Sequence, residues 1–134
     1  PHPGEAAHLL NTIAPVIQAD RLAAVLDLVK LTDCIVALKG QHTLIASPLH
    51  PVVQCAEGNP GMAVGGMGDV LTGAIAALAA QGIQHNLNLW ESSCIGVQLH
   101  ATAADSLVAK QIGPIGLTPT EVILEMRSLL NKLL

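Results

Sequence analysis

Residues 59–73, Asn-Pro-Gly-Met-Ala-Val-Gly-Gly-Met-Gly-Asp-Val-Leu-Thr-Gly, are the part of the chain whose types and spacing come nearest to chemistry. Gly58, Gly61, Gly65, Gly66 and Gly68 let the backbone bend so that several N–H groups can serve one spot. A helix predicted to start at Asp69 adds its unpaired donors and the positive end of its dipole. The result is an anion hole over Gly65, Gly66, Met67 and Gly68, best suited to phosphate. The segment lacks the Gly-Lys-Ser/Thr ending of a P-loop and is not a clean dinucleotide fingerprint. Asp69 could take a proton from a substrate hydroxyl while the neighbouring amides hold a transferring phosphoryl group. The same carboxylate could simply cap the helix, and the glycine loop could be only a tight connection.

Two further segments carry candidate groups. In Lys39-Gly40-Gln41-His42-Thr43 a cation ends an apolar run, a glycine permits close backbone approach, and a hydroxyl follows. These are parts of a phosphate clamp, or of a solvated hairpin edge. In Pro1-His2-Pro3-Gly4-Glu5 two prolines restrict the backbone ahead of a helix and could hold an imidazole and a carboxylate in a cleft, or make a surface turn. His8, His42, His50, His85 and His100 have no metal-ligand spacing, and no metal-ligating residue is predicted.

The elements that must position these groups are legible from periodicity. Residues 4–11 read as a short helix and residues 18–31 as a longer one, with Leu22, Val25, Leu26 and Val29 on its inner face. Residues 34–38 read as a strand buried on both faces, and residues 43–46 and 52–55 as two more, with turns at Gly40-Gln41-His42 and Ser47-Pro48. Residues 69–80 form a predicted helix of small side chains, suited to close approach to a sheet and stopped by Gln81-Gly82. Asn88-Leu89-Trp90-Glu91 has capping-box spacing and opens a helix to about Lys110, with Cys94, Val97, Ala101, Ala104 and Val108 inward. Thr118-Pro119-Thr120-Glu121 opens a last one towards Leu134. Helices, strands, glycine loop and helices in that order imply an α/β layered fold with its active edge where strands end and helices begin.

Composition narrows the function classes. The 134 residues are 51% hydrophobic and 12% charged, about half the usual charged share, so much of the surface is expected to be covered. A net charge of −4 leaves no basic stripe for nucleic acid. Trp90 is the sole aromatic, so a planar ligand must be held by aliphatic side chains and backbone. The stretch of residues 70–90 lacks charge, but glycine and amide side chains interrupt it, which predicts a core helix rather than a membrane span. Residues 1–5 show no secretion signal, so a cytoplasmic protein is expected. Cys34, Cys55 and Cys94 are expected as reduced packing thiols.

Taken together, the three segments resemble the ADP/ATP-dependent NAD(P)H-hydrate dehydratases, the carbohydrate-kinase-like domain of the ribokinase-like superfamily. Residues 1–5 look like the family's Thr-Pro-His-Pro-Gly-Glu, residues 39–43 like its Lys-Gly-x-x-Thr, and residues 59–73 like its long glycine motif. Gln98-Leu99-His100-Ala101-Thr102-Ala103-Ala104-Asp105 adds a weaker match. The resemblance implies a ribokinase-like three-layer α/β/α sandwich, of which residues 1–134 would be the C-terminal part, with the N-terminal half of the domain supplied elsewhere. It implies that His2 and Asp69 face a hydrated nicotinamide and that Lys39, Gly40, Gln41, His42, Thr43 and Gly68 contact the adenine nucleotide. Asp69 would help deprotonate the ring hydroxyl, a terminal phosphoryl group of ADP or ATP would pass to it with Mg2+ on the phosphates, and phosphate would leave to restore NADH or NADPH. A homotetramer is implied as well. Val64 departs from the family's usual Thr. Two other readings are a small-molecule kinase of the same superfamily and a non-catalytic nucleotide-binding interaction domain.

Overall fold

A computed structural model of the chain describes residues 1–133. The elements are α1 (Pro3–Leu9), α2 (Ala14–Ala19), α3 (Arg21–Thr32), β1 (Val36–Leu38), β2 (Leu44–Ser47), β3 (His50–Gln54), a 3-10 turn (Pro60–Met62), α4 (Met67–His85), α5 (Leu89–Ala109) and α6 (Pro119–Asn131). The chain divides into two compact units, Pro1–Ala56 and the residues from Glu57 onward.

The first unit sets three helices against a small antiparallel sheet of order β1-β2-β3. Val36 lies opposite Ala46 and Leu38 opposite Leu44, so these four side chains share one face. They form one core with Ala6, Ala7, Ile17, Ala24, Val25, Leu28 and Val29 of the helices. Burial on both faces belongs to β2, whose four residues are all buried; in β1 Ala37 is only half-buried. The single helix expected over residues 18–31 is broken at Asp20. Its carboxylate accepts a hydrogen bond from the Ala23 amide at 2.9 Å and starts α3 afresh. Its buried face is Ala24, Val25, Leu28 and Val29, while Leu22 and Leu26 are exposed. The buried stripe thus keeps Val25 and Val29 and takes in Ala24 and Leu28 in place of Leu22 and Leu26.

In the second unit α5 packs against α4 and α6. Gly96 makes the first of these contacts close, since a Cβ there would lie 2.6 Å from Ile75 Cγ1. Met67, Ala103, Ala104, Leu107, Leu117, Val122 and Met126 form the core. The α5 and α6 capping boxes are present as expected, at Asn88 with Glu91 and at Thr118 with Glu121. The last helix runs towards Leu134 as expected and ends at Asn131, with Lys132 as its C-cap; Leu134 itself lies outside the described residues.

Both ends of α4 differ from expectation. It begins at Met67, two residues before Asp69, and continues through Gly82 to His85, where Asn86 closes it in the left-handed region. Gly82 is buried inside the helix because Leu87 returns over it; a Cβ would lie 2.9 Å from the Leu87 carbonyl oxygen. Cys55 is buried and Cys94 half-buried, whereas Cys34 is exposed and has no packing role to play. Among the described residues no helix is long and apolar enough to cross a membrane.

Candidate active site

The expected site residues fall into two groups, one in each unit. In the first unit His2 is the N-cap of α1. Its Nδ1 accepts hydrogen bonds from the amides of Gly4 (3.0 Å) and Glu5 (3.3 Å), and the Glu5 carboxylate accepts from the His2 amide at 2.6 Å. This is a capping box with an imidazole in the usual place of a hydroxyl. Because Nδ1 is the acceptor, the neutral ring carries its proton on Nε2, which lies 3.5 Å from Glu5 Oε1. Glu5 also faces Lys39 Nζ at 3.6 Å, and the Lys39 amide donates to the Pro1 carbonyl at 2.8 Å. The bond from the His2 amide, with Lys39 nearby, holds the Glu5 carboxyl below the usual carboxylate range. Residues 1–5 and 39–43, far apart in sequence, are therefore joined through Glu5 and Lys39.

The turn after β1 is shaped by its backbone and by one side chain from α3. Gly40 has φ +148° and His42 φ +57°, and the Thr43 hydroxyl donates to the Gly40 carbonyl at 3.4 Å. Arg21 donates through Nη2 to the Leu38 carbonyl at 3.1 Å and through Nη1 to the Gln41 carbonyl. Burial draws the Arg21 guanidinium pKa down from its ordinary value.

In the second unit the glycine loop is anchored at its start and open at its end. Asp105 of α5 accepts from the Gly58 amide and from Asn59 Nδ2, both at 2.8 Å, and Asn59 Oδ1 accepts from the Gly61 amide at 3.1 Å. The Thr102 hydroxyl donates to Glu57. Gly61 lies so close to Pro114 that a Cβ would meet its carbonyl oxygen at 2.5 Å. Met67, buried in the core, anchors the other end by its side chain.

Between these anchors Val64, Gly65 and Gly66 are exposed. The Met67 amide donates to the Val64 carbonyl at 3.3 Å and the Asp69 amide to the Gly66 carbonyl at 3.1 Å. Among the described residues no oxygen accepts from the amides of Gly65, Gly66 or Gly68. Gly66 is left-handed (φ +86°), but no atom lies within 4 Å of where a Gly65 Cβ would stand. Neither packing nor left-handed backbone accounts for glycine at position 65; close approach of a ligand would. The helix N-cap is Gly66, which has no side chain, so Asp69 is the third residue of α4 and not its cap. Its carboxylate is exposed beside the free amides.

Three residues with a place in this arrangement carried no role in the sequence reading. Arg21 had a legible signal: a cation in the first turn of a helix opposes the dipole, so something else must hold it there. Asp105 is an acid in a helix interior, where Asp is a poor helix former. His100 continues the inward stripe of α5; it is buried, burial lowers its pKa, and its ring lies against the Met67 backbone.

A glycine-rich turn with free amides, leading into a helix with a carboxylate in its first turn, is the kind of arrangement at which phosphate groups recur in α/β proteins. The chain belongs to the NAD(P)H-hydrate dehydratase family, whose model matches residues 1–127. It is 45% identical over 98% of its length to a bifunctional NAD(P)H-hydrate repair enzyme of Vibrio cholerae, covering 25% of that protein. It is 41% identical over 99% of its length to an ADP-dependent (S)-NAD(P)H-hydrate dehydratase of Neisseria meningitidis, covering 44% of it. The ADP/ATP-dependent NAD(P)H-hydrate dehydratase of Bacillus subtilis, co-crystallized with ATP/Mg2+, has the same fold over 98% of this chain and 46% of its own, with TM-score 0.89 at 23% identity. The mixed α/β architecture is thus that of the ribokinase-like proteins, and the chain spans less than half the length of these relatives.

Proposed function

We propose that the chain takes part in nucleotide-dependent dehydration of hydrated NADH or NADPH, as the C-terminal part of one ribokinase-like domain. The observation that carries this reading is the set of free amides at Gly65, Gly66 and Gly68 beside the exposed Asp69 carboxylate. Asp69 accepts the proton of the ring hydroxyl as its oxygen attacks the terminal phosphorus of ADP or ATP. The amides take up negative charge on the phosphoryl oxygens. Phosphate then departs with the C–O electron pair, and loss of a ring proton restores the double bond. Positioning and charge stabilisation do most of the work in such a transfer.

His2, whose ring the α1 amides hold with Nε2 beside Glu5, contributes to the substrate contact, and Lys39 and Thr43 flank the turn that receives the nucleotide. Among the described residues no three His, Cys, Asp or Glu side chains gather into a metal cage. A divalent ion such as Mg2+ fits here chiefly as a partner of the nucleotide phosphates, with Asp69 the carboxylate in the first turn of the helix that follows the anion hole, and when bound it would neutralise phosphate charge. We place the protein in the cytoplasm as a homo-oligomer, a tetramer by family resemblance; exposed apolar side chains such as Leu49 and Ile83 support association.

The test is made on the longer protein that contains this chain. Hydrated NADH with ADP or ATP and Mg2+ should regenerate the absorbance of reduced nicotinamide. Asp69→Asn should lower kcat by about two to four orders of magnitude, the usual worth of a positioned base. No recovery with either nucleotide would refute the reading, and a phosphorylated product that persists would favour a small-molecule kinase.

A further inference from the structure

We propose that Arg21 is a positioning residue for nucleotide binding, holding the 39–43 turn in its receptive shape through the carbonyls on either side of Gly40. The inference rests on the reading of that turn as the nucleotide contact.

Arg21 opens α3, where its charge faces the positive end of the helix dipole, and among the described residues it has no carboxylate within ion-pair distance. Its Nε is buried without a partner. Neither helix nor ion pair explains the side chain's place. What it does meet is the last carbonyl of β1, at Leu38, and the carbonyl of Gln41. The two Nη groups thus bridge the strand end to the crest of the turn, with Gly40 between them. A Cβ on Gly40 would lie 3.1 Å from Nη2 and 3.2 Å from Cζ, so the guanidinium occupies the space that a side chain at position 40 would need. Gly40 and Arg21 are matched to each other, beyond the demand of the Gly40 φ for glycine.

Only a rigid planar fork can hold both carbonyls at once; a lysine ammonium would reach one. The bridge also leaves both Leu38 and Gln41 carbonyls turned onto a cation, which offsets the partial negative charge that would repel phosphate oxygens. Arg21 acts here without touching the reacting atoms, through the shape and local potential of the turn.

The experiment measures nucleotide and hydrated-NADH kinetics in the longer protein for Arg21→Ala and Arg21→Lys, with amide hydrogen exchange over residues 40–43. Loss of the charged bridge should raise the nucleotide KM about tenfold or more in Arg21→Ala, with the hydrated-NADH KM unchanged. Arg21→Lys should be nearly as impaired, and exchange in the turn should quicken in both. An active wild type whose variants keep the nucleotide KM overturns the inference alone, and so does full rescue by lysine, which would make the charge and not the fork the cause. A wild type that shows no nucleotide dependence removes the functional reading and this inference together. If Arg21→Ala does not fold, Arg21→Lys and its exchange rates decide the question.

Discussion

Gly65 and Gly61 occupy one loop and answer to different demands. An alanine at position 65 meets nothing, so Gly65→Ala should leave the melting temperature within about a degree of wild type, as surface changes do. It should nevertheless weaken nucleotide binding in the longer protein, because the methyl group stands where phosphate oxygens would approach. Gly61→Ala drives a methyl group onto the Pro114 carbonyl and should cost roughly 1–3 kcal/mol, read by denaturant unfolding. Equal effects of the two on stability, with none on binding, would make the loop a mere connection. Asp105 extends this argument. Asp105→Ala removes a carboxylate that accepts from Gly58 and Asn59 and should cost about 2 kcal/mol while loosening the loop.

Among the elements, α5 and α6 are tied by Glu125, a buried carboxylate that accepts from Ser106 at 2.7 Å and from Lys110 at 2.6 and 2.5 Å. The Lys110 bond above all, then that of Ser106, holds the Glu125 carboxyl below its ordinary range. A folded-state pKa below the unfolded value means that the unfolded chain binds protons first as pH falls. The stabilisation is present above the unfolded pKa of about 4.3 and is lost as pH drops through the lower folded value. Unfolding midpoints of the second unit should therefore fall on acidification below about pH 4.3, and Glu125→Gln should flatten that dependence. An unchanged slope in Glu125→Gln would assign the acid sensitivity elsewhere. Glu5, half exposed, shifts in the same direction and adds little.

For the whole molecule, coverage of less than half of each compared relative predicts that the 134 residues alone do not turn over hydrated NADH, and that the longer protein does. Catalysis by the isolated 134-residue chain would contradict this. Much of the arrangement was legible beforehand. Capping residues at Asn88 and Thr118, the strand triplet and the glycine loop are local matters, set within a few residues by hydrogen-bonding side chains and backbone freedom. The break at Asp20 and the full extent of α4 were not, because Asp20 caps only once a helix follows it, and Gly82 stays helical only with Leu87 folded over it. By itself the sequence determined the family's motifs and the order of the elements, since both depend on residue type and short-range spacing. Tertiary structure alone decided that Glu5 meets Lys39, that Arg21 spans the turn at Gly40 and that Asp105 anchors the glycine loop. Each joins segments whose separation along the chain carries no periodic signal, and only the packing of helices against strands, or of α5 beneath the loop, brings donor and acceptor within reach.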